Sequence, residues 1–261
     1  MLSYQHAYHA GNLADVHKHA LLAFMLDYLT QKDKPFTYLE THSGRGLYDL
    51  TAAEAQKTGE AAQGIAAIER LGGFGAKHPY AAALAHVRAV YGPDAYPGSP
   101  LVAAQFLRDG DRATLAELHP QEYAALCEAM LPYPMTCRQM DGGAMALALT
   151  PPEPRRGLML IDPPYEVKAD YVAMPKLIAD VHRKWNVGTI ALWYPILTDM
   201  RHRPMLETLE SLKAPRTLRH EVRFPPARDG HGMVGSGMFI LNTPFGTEAE
   251  ADRLAKLFRR L

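Results

Sequence analysis

Apolar positions along this chain follow two rhythms, one helical and one extended. Leu13, Val16, Ala20 and Phe24, with Leu21, Met25 and Tyr28 beside them, fall at helical spacing. They predict one amphipathic helix over 13–31, with Asn12 as N-cap and Asp15 in the first turn. Phe36 to Thr41 reads as a first strand. Residues 50–95 interrupt the strands. They are Ala-rich and helical in pattern, broken at Gly72-Gly73 and Gly92-Pro93, and read as an inserted helical subdomain or lid. Strands resume at 113–118 and 135–140, on either side of a helix at 121–131. Leu158 to Ile161 is a continuous apolar run of the kind buried on both faces of a sheet. A helix at 170–184, a strand at 188–194 and a helix at 204–213 follow. Residues 217–224 and 236–242 read as an antiparallel pair, and 247–261 as a closing amphipathic helix. Seven strands interleaved with helices predict a Rossmann-like α/β sheet.

Composition narrows the class. A chain of 261 residues, 48% hydrophobic and 21% charged, can bury a large core, and 1–261 reads as one domain. Lys+Arg equals Asp+Glu at 28 each, which excludes a strongly basic nucleic-acid coat. Any RNA contact must then come from local patches. Candidates are Arg155-Arg156, Arg201-His202-Arg203, Arg216 to Arg223, and the Gly-rich loop from Pro225 to Ser236 with Arg228 and His231. Two cysteines, Cys127 and Cys137, without a Cys-x-x-Cys, support neither a disulfide scaffold nor a thiolate zinc site. They fit a reducing cytoplasm. The longest membrane-like run, Leu21 to Leu29, is too short to span and is interrupted by Asp27, and the N-terminus lacks an apolar signal core.

Chemistry gathers at the predicted strand ends. The central run stops abruptly in Asp162-Pro163-Pro164-Tyr165. Two prolines lack N–H groups and fix φ, so they forbid both strand pairing and an immediate helix. What remains is a stiff turn offering a carboxylate, two carbonyls and an aromatic ring. An exocyclic amine on a planar base needs two acceptors and a surface for its face. Asp162 and the Pro163 carbonyl can accept its two protons, and Tyr165 can stack on the ring, as enzymes that modify a flipped-out base require. Around this turn lie His42-Ser43-Gly44-Arg45-Gly46 after the first strand, Glu117 at the end of the second, and Asp141-Gly142 after the third. The loop at Gly44 is neither Gly-x-Gly-x-x-Gly nor a phosphate-binding Gly-Lys-Ser. Ser99, in the turn Tyr96 to Pro100, offers either a ligand hydroxyl or a helix cap. Trp193-Tyr194-Pro195 reads as either base-pocket wall or core. His6, His9, His17 and His19 have no pair at i, i+4 and no acidic complement that makes a metal site. Tyr4, His6, His9, Lys18 and His19 read instead as a polar wall over a ligand pocket.

The chain resembles a known family through several motifs in order. They are Met1 to His19, Thr41-His42-Ser43-Gly44, Tyr96 to Pro100, Glu117 to Pro120, Asp141-Gly142, Asp162 to Tyr165, Ala191 to Pro195, and Ser236-Gly237-Met238. Asp-Pro-Pro-Tyr is the signature of S-adenosylmethionine-dependent amino-methyltransferases. The other motifs are similar to the RlmJ family, the 23S ribosomal RNA adenine-N6 methyltransferases. The resemblance implies a seven-stranded class I methyltransferase sheet with a helical insertion near 50–95 and an N-terminal segment, 1–31, that meets cofactor and RNA. It implies that S-adenosylmethionine contacts Lys18, His19, His42, Ser99, Glu117, Asp141, Gly142 and Asp162. Asp162, Pro163 and Tyr165 would carry catalysis, with Tyr4, His6 and Tyr165 at the substrate. A sulfonium already makes its methyl electrophilic, so the reaction asks for no metal. The expected partner is 23S RNA, with no membrane, and the expected state a cytoplasmic monomer. The rivals are a DNA adenine or cytosine amino-methyltransferase with the same turn, and a catalytically silent nucleic-acid-binding protein serving DNA uptake.

Overall fold

The computed structural model describes residues 5–227, 230 and 232–261. Tyr4, Arg228 and His231 lie outside the described residues. A 3-10 turn at His6–Tyr8 leads into α1 (Leu13–Thr30) and β1 (Thr37–Glu40). β2 (Leu47–Asp49), α2 (Ala53–Thr58), α3 (Glu60–Gln63), α4 (Ile65–Arg70), α5 (Pro79–Tyr91) and β3 (Ala95–Pro97) form the inserted stretch. Then come α6 (Ser99–Ala104), β4 (Arg112–Ala116), α7 (Pro120–Met130), β5 (Met135–Arg138), α8 (Gly142–Leu149) and β6 (Gly157–Ile161). The chain continues through α9 (Asp170–Lys184), β7 (Thr189–Leu197), α10 (Arg203–Glu210), β8 (Leu218–Arg223), β9 (Met233–Leu241) and α11 (Thr247–Phe258).

Seven strands form one sheet in the order β5-β4-β1-β6-β7-β9-β8. The first five are parallel, and β9 runs antiparallel to both β7 and β8. This is the Rossmann-like sheet expected from the strand pattern. β1 and β6 are buried throughout, as central strands of a sheet covered on both faces, and β6 is the unbroken apolar run that such a place favours. The pleat sends alternate residues to opposite sides. Leu158 and Leu160 enter the core under α1, α5, α6 and α11, while Met159 and Ile161 enter the core under α8, α9 and α10. The inserted stretch is closed at its base by the β2–β3 ladder, with Tyr48 opposite Tyr96. Ile65, Ile68, Leu84 and Val87 carry its apolar faces into the same core as α1.

The structure corrects several sequence expectations. α1 is not amphipathic: Asp15, His17, Lys18 and His19 are buried along with its apolar residues. Sheet strand β9 and helices α5, α6 and α11 surround it, so each of its faces meets protein. α8 was not predicted, because Asp141-Gly142-Gly143 looks like a turn. Asp141 is instead its N-cap, accepting from the Ala144 N–H at 2.7 Å. Pro195 lies inside β7 rather than beyond it. β6 ends opposite Leu192, so this part of β7 is an edge on that side, where a proline is tolerated. Among the described residues, no helix is long and apolar enough to cross a membrane.

Candidate active site

The C-terminal ends of β1, β4, β6 and β7 open into a cavity of about 470 Å³, closed on one side by the start of α1. Period-two alternation continues past Ile161, so Asp162 emerges on the face of Leu158 and Leu160, which is the α1 side. There Lys18 Nζ donates to Asp162 Oδ2 at 2.5 Å. The same ammonium lies 3.2 Å from Asp15 Oδ1. Burial disfavours the charge on Lys18, but the two carboxylates outweigh it and hold its pKa above the ordinary lysine value. Lys18 also sits 5.6 Å from the centre of the Trp193 ring. Asp162 Oδ1 takes no part in the lysine pair.

Asp15 is the residue that sequence reasoning treated only as a helix-start signal. It is buried, accepts from the Gly11 N–H at 3.0 Å, and lies 2.8 Å from His6 Nε2. Burial works against its carboxylate, but His6, Lys18 and His19 together hold its pKa well below the usual range. His19 is pushed down to about 3 by burial, so it is neutral near pH 7. Its Nδ1 meets Tyr96 Oη at 3.2 Å. The polar wall thus has an anionic anchor, visible in sequence only as an acid at the head of an apolar helix. His9 joins the wall through Glu60, 3.0 Å from its Nδ1.

Across the cavity lie the ends of the other strands. Gly44, in the turn after β1, has φ +59, a conformation that favours glycine, and its N–H donates to Glu117 Oε2 at 2.8 Å. Glu117 Oε1 accepts from the His119 N–H, also at 2.8 Å, and burial raises the pKa of this carboxyl. His42 and Asp141 line the same space, and burial lowers the His42 pKa. Gly142 packs so tightly on β1 that a Cβ there would lie 2.0 Å from the Thr41 carbonyl. Ser99 also lines the cavity, but it is neither a free hydroxyl nor the helix cap. Gly98 is the N-cap, and Ser99 Oγ donates to the buried Glu40 Oε1 at 2.5 Å. Glu40, absent from the sequence reading, is raised to about 8 by burial. Its only trace in sequence is an acid closing an apolar strand.

The Asp-Pro-Pro-Tyr turn forms the floor. Pro163, Pro164 and Tyr165 line the cavity. The Tyr165 ring is held in place rather than free: it is buried, has φ 53, and donates its hydroxyl to the Trp193 carbonyl at 3.0 Å. Tyr171 lies against it, with ring centres 4.5 Å apart. The alternatives for Trp193 and Tyr194 divide by strand face. Trp193 points to the cavity, while Tyr194 is fully buried on the opposite face against His202. The arginine patches divide between structural contacts and exposed side chains, Arg201, Arg203, Arg216 and Arg223 among the latter. Arg156 donates to the Lys34 and Leu29 carbonyls, Arg219 pairs with Glu210 and Glu221, and His202 is buried.

The cavity therefore gathers Lys18, His19, His42, Ser99, Glu117, Asp141, Gly142 and Asp162 around one space, with His6, Pro163 and Tyr165. Among the described residues, four buried polar atoms on its lining residues have no hydrogen-bond partner: His19 Nε2, Ser43 Oγ, His119 Nδ1 and Tyr171 Oη. Such atoms are normally satisfied. With the carboxylates of Glu117 and Asp141 they suit a polar, adenosyl-sized ligand.

The family model described as "Ribosomal RNA large subunit methyltransferase D, RlmJ" matches residues 33–260. The chain is 39% identical over 256 residues to ribosomal RNA large subunit methyltransferase J of Escherichia coli (strain K12), covering 97% of this chain and 91% of that protein. The enzyme of the same name from Haemophilus influenzae is 39% identical over 272 residues, covering 97% of this chain and 92% of that protein. Protein LPL1258 from Legionella pneumophila superposes with a TM-score of 0.85 at 34% identity, covering 95% of this chain and 92% of that one. Human methyltransferase 10 domain containing protein shares the fold alone, with a TM-score of 0.50 at 9% identity over 88% of this chain and 82% of that one. This chain belongs to the RlmJ family of ribosomal RNA large-subunit methyltransferases.

Proposed function

We propose that the protein transfers a methyl group from S-adenosylmethionine to N6 of one adenosine in 23S ribosomal RNA, in the cytoplasm. The observation that carries this reading is the Asp162 carboxylate at the end of β6, held through Oδ2 by Lys18 with Oδ1 left for a ligand. S-adenosylmethionine, when bound, supplies an electrophilic methyl group on a cationic sulfonium. Glu117 would hold its ribose hydroxyls, Asp141 and the backbone at Gly142 its adenine edge, and His19 and His42 its methionine side.

Asp162 Oδ1 and the Pro163 carbonyl accept the two N–H bonds of the target amine. Those contacts draw the nitrogen lone pair out of conjugation and fix its direction. Lys18 keeps the carboxylate from rotating. A carboxylate is too weak a base to ionise an aromatic amine beforehand, so the proton leaves for Asp162 only as the nitrogen gains its new bond. Trp193 and the Asp-Pro-Pro-Tyr turn exclude water from that step, and His6 borders the substrate side.

The test is methyl transfer in vitro from labelled S-adenosylmethionine. Unmodified 23S RNA, 16S RNA and adenine-containing DNA are offered separately, with Asp162→Ala as control. Label in 23S RNA as N6-methyladenosine, lost in the control, is expected. Label only in DNA would keep the chemistry and overturn the substrate. No transfer and no cofactor binding would overturn the enzyme reading altogether.

A further inference from the structure

A base drawn into a buried pocket leaves its neighbours in the strand at the rim, where contacts to the flanking nucleotides set substrate choice. The rim of this pocket has a second hollow of about 420 Å³, and Tyr171 lines both spaces. Its ring lies against Tyr165, tilted by 36° with centres 4.5 Å apart, so the two aromatics form the wall between them. The Tyr171 hydroxyl is buried and has no hydrogen-bond partner.

Four more of the side chains lining the second hollow bear on what it can hold. Val172 is 78% exposed, an apolar side chain left facing solvent at the head of α9. Pro204, exposed at the head of α10, supplies further apolar surface. Lys168 is exposed on the loop after the Asp-Pro-Pro-Tyr turn, and Arg201 stands on the loop after β7. Arg201 donates to Asp199 through Nε and Nη2, while Nη1 takes no part in that pair. Both partners are substantially exposed, at 40% and 48%, and an ion pair of that kind binds weakly enough to open for a phosphate.

We propose that this hollow seats the ribonucleotide next to the target adenosine in a single-stranded stretch of the substrate. Its base lies on Val172 and Pro204, its phosphate meets Lys168 and Arg201, and the Tyr171 hydroxyl takes a hydrogen bond from its polar edge. Cations with an adjoining apolar platform are what unpaired RNA needs, since every base has a face to stack and every link a charge to neutralise. Continuity with the methylation pocket fixes the occupant as the same strand. The proposal rests on the RNA reading above, and its test separates the two.

Lys168→Glu and Val172→Asp change exposed side chains outside the methylation pocket. Each variant is measured for S-adenosylmethionine binding by calorimetry, for kcat and KM with RNA, and for binding of a short fluorescent oligoribonucleotide with one central adenosine. Both variants should keep cofactor affinity and kcat at saturating RNA. Oligoribonucleotide affinity and KM should each worsen by about tenfold, and in Lys168→Glu the salt dependence of binding should flatten by about one released ion. Val172→Asp should leave an oligoribonucleotide lacking the flanking nucleotide bound as the parent protein binds it, because that base is no longer there to lose. RNA affinity and KM unchanged within twofold in both variants would overturn the subsite. A parent protein that binds the oligoribonucleotide through these residues but methylates only DNA would overturn the RNA methylation reading and leave the subsite standing.

Discussion

Lys18→Met keeps the stem of the lysine and removes its charge. The ammonium lies 2.5 Å from Asp162 and 3.2 Å from Asp15, and its side chain is 5% exposed. Near pH 7 burial keeps His19 neutral, so Lys18 supplies a large part of the positive charge that holds Asp15 ionised. Without it Asp15 retains His6 Nε2 and the Gly11 N–H, and Asp162 loses its partner. Breaking one side of a buried ion pair costs about 3–5 kcal/mol. Asp162 is 14% exposed and keeps some water, so the lower figure, about 3 kcal/mol, is expected. Urea unfolding followed by circular dichroism at pH 7, 5 and 3 measures it. The pKa of Asp15 is depressed in the folded state, so the stability it lends is present above the unfolded value near 3.9 and is lost as pH falls through the folded value. Lys18 is raised, so its contribution is full below about 10.4 and is lost only at still higher pH. The gap between parent and variant should therefore be full at pH 7 and 5 and narrow at pH 3. A variant within about 0.5 kcal/mol of the parent at pH 7, or a gap that widens on acidification, would refute the anchored-carboxylate account.

Three further outcomes follow from the same geometry. Glu40 is raised from 4.5 to about 8, so the folded state holds a proton that the unfolded state has released, and this group makes stability fall as pH rises between those values. Glu40→Gln should remove that slope, gaining on the parent between pH 5 and pH 8 in urea titrations. Ser236 Oγ accepts from Trp193 Nε1 at 2.9 Å and lies 2.8 Å from His17 Nδ1, all beneath the cavity wall. Ser236→Ala should cost about 1–3 kcal/mol through the unsatisfied buried partners and shift the emission of Trp193, read against a Trp193→Phe control. Gly142→Ala puts a Cβ 2.0 Å from the Thr41 carbonyl, so β1 and the head of α8 must part. Calorimetry should show S-adenosylmethionine affinity down by about tenfold or more, with stability reduced by about 1–3 kcal/mol.

The order of elements was legible because local rules decide it. A run of apolar residues ended by Asp162-Pro163-Pro164 can only be a buried strand that stops there, and Asn12 before an apolar period can only start a helix. The strand ends carrying Glu117 and Asp162 followed from the same reading. α8 escaped it because two glycines at a helix start carry the same local signature as a turn. Within the arginine patches, a charge run does not announce which guanidinium will meet a backbone carbonyl, as Arg156 does.

What the sequence by itself determined is the sheet's content and the face on which each strand residue emerges, since the pleat alternates whatever surrounds it. What only the tertiary structure decided is which groups meet across those faces. Lys18 and Asp162 are 144 residues apart, and no local pattern couples them. Their contact exists because α1 lies over the face that Leu158, Leu160 and Asp162 share. Periodicity reports one buried face of a helix; α1 is buried on all sides because strand and helices close around it, and that enclosure makes Asp15 and Lys18 a charged pair rather than a solvated one.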